Sequence, residues 1–278
     1  MAVTATEFEY DGIKSSVYGL YICSFDGARN GTYSLGDEIT IQSVKSPRGN
    51  RYIKTGSIYE NPLSFTFQVI KYDCDTGAEK INARELATIM RWLVRSDNYH
   101  YLRFIQDRWD NVFYNCSLKV QKHEIGGAIY GLEIEATCDA PWGYSDMKKC
   151  NFSLDSDQSY HLYNYSDENG RLMPELVKIK ILENCDEFIL TNTFLPQNNE
   201  DNKIVSETKI KNCTAGEIFQ FDRYRNIKSS MEHKNLQNEF NYQFLELLCD
   251  FFSQKNNIEA NHSCEVEISY REIRKGVC

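Results

Sequence analysis

The side chains that could do chemistry in this 278-residue chain are five histidines, ten cysteines and a large set of acidic groups. A serine hydrolase sets its nucleophile on a strained GxSxG turn, a nucleotide-binding enzyme opens a helix with a glycine-rich loop, and a zinc peptidase places HExxH on one helical face. None of these patterns occurs. His100, His123, His161, His233 and His262 are scattered, and no CxxC pair is present. His262 with Cys264 comes nearest to a pair of zinc ligands, and no metal is assigned. Asp107-Arg108-Trp109-Asp110 offers two carboxylates beside an aromatic ring, the raw material of glycoside hydrolysis. Three residues apart in an expected turn, the two aspartates read more simply as turn formers that bond their own backbone. Asp155, Asp157, Asp167 and Glu168 are acidic enough for calcium but lack the spaced Asp-x-Asp-x-Asp-Gly loop, so they read as solvated charge. No catalytic residue, cofactor or metal follows from the sequence.

Composition limits the remaining readings. The chain is 41% hydrophobic and 26% charged, as folded proteins are, and is long enough for two ordinary domains. Its net charge is −9, and its densest basic stretch, Lys45, Arg48, Arg51 and Lys54, is short and followed by Glu60, which is not a nucleic-acid surface. The first ten residues have neither a basic nor an apolar region of the export type, and no apolar run reaches the ~18 residues of a membrane span. Synthesis in the cytoplasm is the expectation, and the cysteines then read as reduced, buried, small hydrophobes. The 18 tyrosines and 15 phenylalanines favour strands and contact surfaces.

The elements that would position any site are mostly strands. Alternation marks residues 7–10, 38–44, 63–70, 131–137, 177–181 and 264–270, with apolar runs at 17–22, 101–105, 112–114, 116–120, 187–190 and 217–221. A helix is predicted over 83–96, where Leu86, Ile89, Met90 and Leu93 share a face and Asn82 with Glu85 forms a capping box. One helix among many strands indicates a mainly β, α+β chain. The period breaks at Pro141, Trp142, Gly143 and Tyr144, which places a junction between domains 1–140 and 141–278. There, exposed rings could stack on a sugar, although amphipathic aromatics at a junction more often pack. The polar span 196–207 reads as an exposed loop. The link 45–62 is longer than strand connections usually are, and Pro47, Arg48, Gly49, Asn50, Arg51 and Tyr52 in it combine turn formers with interface-prone side chains.

Several stretches stand out together. They are Phe8-x-Tyr10-Asp11-Gly12-Ile13-x-Ser15-Ser16-x-Tyr18-Gly19-Leu20, Met90-Arg91-Trp92-Leu93 with Tyr99-His100-Tyr101-Leu102 and Tyr114, and Ala140-Pro141-Trp142-Gly143-Tyr144. Gly170-Arg171-Leu172-Met173-Pro174-Glu175-Leu176, Phe188-Ile189-Leu190-Thr191-Asn192 and Glu267-Ile268-Ser269-Tyr270 complete the set, which resembles the distal tail proteins of long-tailed phages. The resemblance implies an N-terminal β-sandwich-type domain that builds a hexameric ring, a C-terminal galectin-like β-sandwich, and no catalysis. It implies a homo-hexamer at the virion tail tip, between the tail tube protein and the tail-associated lysin, receptor-binding or baseplate proteins. The link 45–62 is then the expected arm between subunits, with an ordinary loop as its plain reading. A carbohydrate-binding or receptor-binding module using Trp142 or Tyr144 is the alternative.

Overall fold

The computed structural model describes residues 5–25, 39–46, 49–73, 75–105, 112–231 and 235–275. The chain divides into two compact units, Met1–Ser145 with Arg274–Cys278, and Asp146–Ile273. No helix among the described residues is long and apolar enough to cross a membrane.

In the first unit the strands are β1 (Glu7–Tyr10), β2 (Ile13–Lys14), β3 (Leu20–Cys23), β4 (Ile39–Lys45), β5 (Tyr52–Tyr59), β6 (Ser64–Asp73) and β7 (Gly77–Ala78). Helix α1 (Ala83–Leu93) follows, then β8 (His100–Ile105), β9 (Phe113–Ile125), β10 (Ala128–Cys138) and β11 (Gly143–Tyr144). One sheet runs in the order β2-β1-β8-β9-β10-β6-β3. Its far edge returns to the start, because the Ile22 N–H donates to the Thr6 carbonyl at 2.9 Å. Asp11 and Gly12 both have positive φ, 51° and 76°, which lets a two-residue turn join β1 to β2 with the twist the strands require. The predicted segments 112–114 and 116–120 are one strand, β9, since Asn115 continues the pairing opposite Tyr101.

The sheet buries its apolar face under α1. Asn82 accepts from the N–H groups of Arg84 and Glu85 at 3.0 and 2.9 Å, and Glu85 Oε2 accepts from the Asn82 N–H at 3.0 Å. This is the predicted capping box. The other carboxylate oxygen of Glu85 holds Lys71 of β6 at 2.9 Å, so the cap also ties helix to sheet. Trp92 stacks on Phe8 and Tyr18, with centroids 5.6 and 4.8 Å away, and its Nε1–H donates to the Tyr10 carbonyl at 3.0 Å. The helix ends at Leu93, three residues before the expectation. Beyond it, Arg95 turns back to donate to the Trp92 carbonyl and to pair with Asp11 at 2.9 Å.

The second unit has β12 (Lys148–Leu154), β13 (Ser159–Tyr163), β14 (Gly170–Leu172), β15 (Leu176–Ile181), β16 (Cys185–Phe194), β17 (Ile204–Cys213), β18 (Ile218–Asp222) and β19 (Ile227–Ser229). The short helix α2 (Leu236–Glu239) precedes β20 (Leu247–Cys249), β21 (Lys255–Ala260) and β22 (Cys264–Tyr270). Two sheets, β12-β22-β15-β18-β19 and β13-β21-β16-β17, alternate buried and exposed residues, as in β15, where Val177, Ile179 and Ile181 point inward. The span 196–207 is only partly loop. Two short 3₁₀ turns lead into β17, whose first residues, Ile204 to Glu207, pair with Phe194 to Thr191 of β16. The asparagines and acids of that span hid the strand start. Inside the unit, the buried Asn256 amide mimics a peptide group, accepting from the Leu248 N–H and donating to the Leu248 carbonyl, both at 2.8 Å. It also accepts from Asn192 Nδ2 at 3.0 Å.

Two substitutions test these frames. Trp92→Ala removes the ring that links β1, the following turn and α1, and should destabilise the first unit by about 3–5 kcal/mol in urea unfolding followed by circular dichroism. Asn256→Leu leaves Leu248 and Asn192 without their buried partner and should cost about 2–4 kcal/mol in the second unit. A midpoint unchanged in either variant would show that the named contact does not hold the fold.

Candidate assembly hairpin

Strand alternation ordinarily places one set of side chains in a core. The residues of β4 alternate, which predicts a strand fixing the first domain, yet every one of them is exposed. Among the described residues β4 does not join the main sheet and pairs only with β5, a strand not foreseen in the link 45–62, and the two form a separate ribbon. The expected core strand is therefore half of an exposed hairpin.

The pairing sets the two faces. Ile39 lies opposite Tyr59 and Ile41 opposite Ser57, so these share one face. Thr40 opposite Ile58 and Val44 opposite Ile53 lie on the other. A register shift between Gln42 and Ser43 adds a bulge beside Gly56, where a Cβ would press to 3.3 Å from Gln42 Oε1. Both faces carry apolar side chains open to solvent: Ile41 is 63% exposed, Val44 59%, Ile53 59% and Tyr52 69%. A ribbon of this kind is marginal in water and is an association surface unless covered.

The root of the hairpin is held within its own unit. Tyr59 meets Trp142 edge to face at 5.5 Å, the ammonium of Lys275 lies 5.2 Å from the Tyr59 ring, and Thr40 Oγ1 donates to Glu60 at 2.7 Å. At the far end the Ser46 N–H donates to the Arg51 carbonyl at 3.1 Å and the Gly49 N–H to the Ser46 carbonyl at 3.3 Å. Gly49, Asn50, Arg51 and Tyr52 thus sit at the exposed tip, while Pro47 and Arg48 lie outside the described residues. Residues 39–59 contain four basic side chains, Lys45, Arg48, Arg51 and Lys54, and no acidic one, so the chain's net −9 leaves −13 on the remainder. A cationic, two-faced ribbon is thus tethered to an anionic body.

The junction residues have defined places. Gly143 and Tyr144 form β11 against Phe113, and a side chain at Gly143 would strike Val112 and Tyr114. The Tyr144 ring meets Tyr101 at 6.3 Å and its hydroxyl donates to Asp139 at 3.2 Å. Pro141 and Trp142 precede it, both half-buried.

The residues considered for chemistry do not converge. Asp107, Arg108, Trp109, Asp110 and His233 lie outside the described residues. His100 bonds Asp97 at 3.1 Å, His123 stacks on Phe25, and His262 bonds Glu183 at 3.0 Å. The Cys264 thiol is pushed up to about 12 by burial, which keeps its proton in place at neutral pH. Asp155 accepts from Ser263 at 3.0 Å and closes a turn with Gln158. Among the described residues no group of three or more histidines, cysteines or acids is placed to hold a metal ion. A groove of about 530 Å³ in the second unit runs along β17, edged by Arg171, Glu207, Lys209, Asn241, Gln243 and Glu246. No aromatic ring is among its described lining residues, so it has no platform for a sugar ring.

The family described as the phage tail protein N-terminal domain matches residues 3–140, and the phage tail C-terminal domain matches residues 142–270. No curated protein matches the chain. Among solved structures, the fold is similar to the crystal structure of the SPP1 Dit protein, described as a paradigm of the hub adsorption apparatus in phages that infect Gram-positive bacteria. That similarity has a TM-score of 0.60 at 10% identity and covers 96% of this chain and 99% of the other. With both family domains in order along almost its whole length, the chain belongs to the phage tail proteins, has the β-rich two-domain fold of a distal tail protein, and is a component of the virion tail.

Proposed function

We propose that this protein is a non-enzymatic hub subunit of the tail tip, closing with copies of itself into a hexameric ring between the tail tube and the host-adsorption apparatus. The single observation that carries the reading is the β4–β5 hairpin, which leaves the core of its own unit and exposes apolar side chains on both faces. Such a ribbon is stable only when both faces are covered, and a neighbouring subunit covers it without any new component. The contact is heterologous, one surface meeting a different one on the next copy, which is the geometry that closes rings. Charge favours the same partner, since four basic groups on the ribbon meet a body of net −13. Six-fold closure is supported by the resemblance to distal tail proteins. In that arrangement residues 1–140 build the ring and the C-terminal sandwich, 141–278, projects toward receptor-binding or baseplate proteins. The tail tube protein and the tail-associated lysin occupy the two ring faces.

The carbohydrate-binding alternative has no comparable support. Trp142 packs on Tyr59 and Tyr144 on Tyr101, so both rings are engaged inside the first unit.

Replacing residues 41–57 by a short Gly-Ser turn keeps the root contacts of Tyr59. At concentrations low enough that both are monomeric, the shortened chain should melt within about 2 °C of the wild type, because the ribbon adds nothing to the core. In light scattering the wild type should approach six times 32.4 kDa, alone or with its tail partners, and the shortened chain should stay monomeric. The same ring from the shortened chain would overturn the assignment. Lys45→Glu, Arg51→Glu and Lys54→Glu together should slow ring assembly at low salt, and the difference from wild type should shrink as salt screens the charges. Equal assembly at low salt would remove the electrostatic part.

A further inference from the structure

We propose that Cys116 and Cys138 are a latent cross-strand disulfide that closes when the protein passes from a reducing to an oxidising medium. The eight described cysteines are all thiols. Two of them, Cys116 on β9 and Cys138 on β10, are direct register partners. Their position on the ladder is the one where a disulfide fits. The Asp139 N–H donates across the ladder to the Asn115 carbonyl at 2.8 Å, whereas the Cys138 N–H turns the other way, to the Leu63 carbonyl at 2.9 Å. Cys116 and Cys138 therefore form a non-hydrogen-bonded pair, the type in which Cα atoms stand about 4.5 Å apart, inside the span a disulfide bridges. Both side chains are on the core side, 0% and 1% exposed.

The oxidant is a small peroxide, because a buried pair excludes a bulky disulfide reagent. One of the two sulfurs attacks a peroxide oxygen, the O–O bond breaks, and water leaves with the thiol proton, giving a sulfenic acid. The other sulfur then attacks the sulfenic sulfur. The S–S bond forms, the S–O bond breaks, and a second water carries away the second thiol proton. Two thiols lose two electrons in all and one peroxide is reduced to two waters.

The bond would pin β9 to the end of β10, which Leu63 also holds through Cys138 and Ala140, just before the chain runs on to Ser145. The biological occasion rests on the tail reading: a virion part is assembled in a reducing cell interior and then released into an oxidising medium. Cys185 and Cys213 are also register partners, on β16 and β17. There Asn212 has a left-handed φ of 54° and the Cys213 thiol donates to the Ile210 carbonyl at 3.4 Å, so the inference is confined to the first pair.

The purified chain is treated with hydrogen peroxide, raised until the half-buried Cys150 is fully oxidised, then alkylated with iodoacetamide under denaturing conditions and digested without reductant. Mass spectrometry should find the peptides containing Cys116 and Cys138 joined, with the link lost in Cys116→Ser and in Cys138→Ser. The oxidised wild type should melt roughly 5 °C or more above the reduced form and return to it with dithiothreitol. If both cysteines are recovered alkylated, or each is oxidised singly with no joined peptide, the proposal fails whether or not the variants fold. Ring assembly is read separately, so the disulfide and the hub reading can fail independently.

Discussion

The indole of Trp92 is the contact on which the first unit depends. Its faces pack on Phe8 and Tyr18 and its N–H takes the Tyr10 carbonyl, so one side chain joins the first strand, the turn after it and the only long helix among the described residues. Large ring area with one satisfied polar atom is an efficient way to fix relative positions, because burial and direction come from the same group. Lys71 and the capping Glu85 repeat the tie at the other end of the helix. With that frame set, strands β6, β9 and β10 can run long, and their ends present the segment 139–145, whose Trp142 receives Tyr59 at the root of the hairpin.

The hairpin answers to a different constraint. A strand pair can bury one face, both, or neither, and in water the last state is costly when both faces are apolar. Here Ile41, Val44, Tyr52 and Ile53 all remain open. Under the proposed function, an adjacent copy covers them. The ribbon's cationic character, against an anionic remainder, adds direction and encounter rate more than holding energy.

In the second unit side-chain amides do work that strands usually do. Asn256 substitutes for a peptide group against Leu248, and Asn241 does the same at the edge of β17, accepting from the Lys209 N–H at 3.1 Å and donating to the Glu207 carbonyl at 2.8 Å. Buried carboxylates are likewise partnered, Glu272 by Lys148 and the Tyr165 N–H. Polar residues inside this sandwich are structural, which is consistent with a chain whose acids, histidines and cysteines do not gather into a reactive cluster among the described residues.

Local signals were enough for much of this. The Asn82–Glu85 capping box, the Asp11-Gly12 turn, and the alternation of β6, β10, β15 and β22 are short-range patterns that any homogeneous environment would read the same way. The length and composition of residues 45–62 also marked the region that carries the hairpin. What stayed hidden was β5, because Lys54-Thr55-Gly56-Ser57 interrupts its apolar pattern and its bulge shifts the register, and the start of β17, masked by the polar residues before it. The fate of β4 was beyond the sequence altogether. Alternation states that a strand has two sides. Whether a side is covered, and by what, depends on neighbours delivered from distant parts of the chain, and only the tertiary structure shows that, among the described residues, β4 pairs with β5 alone. The same holds for Cys116 and Cys138, unremarkable 22 positions apart and brought face to face by strand register alone.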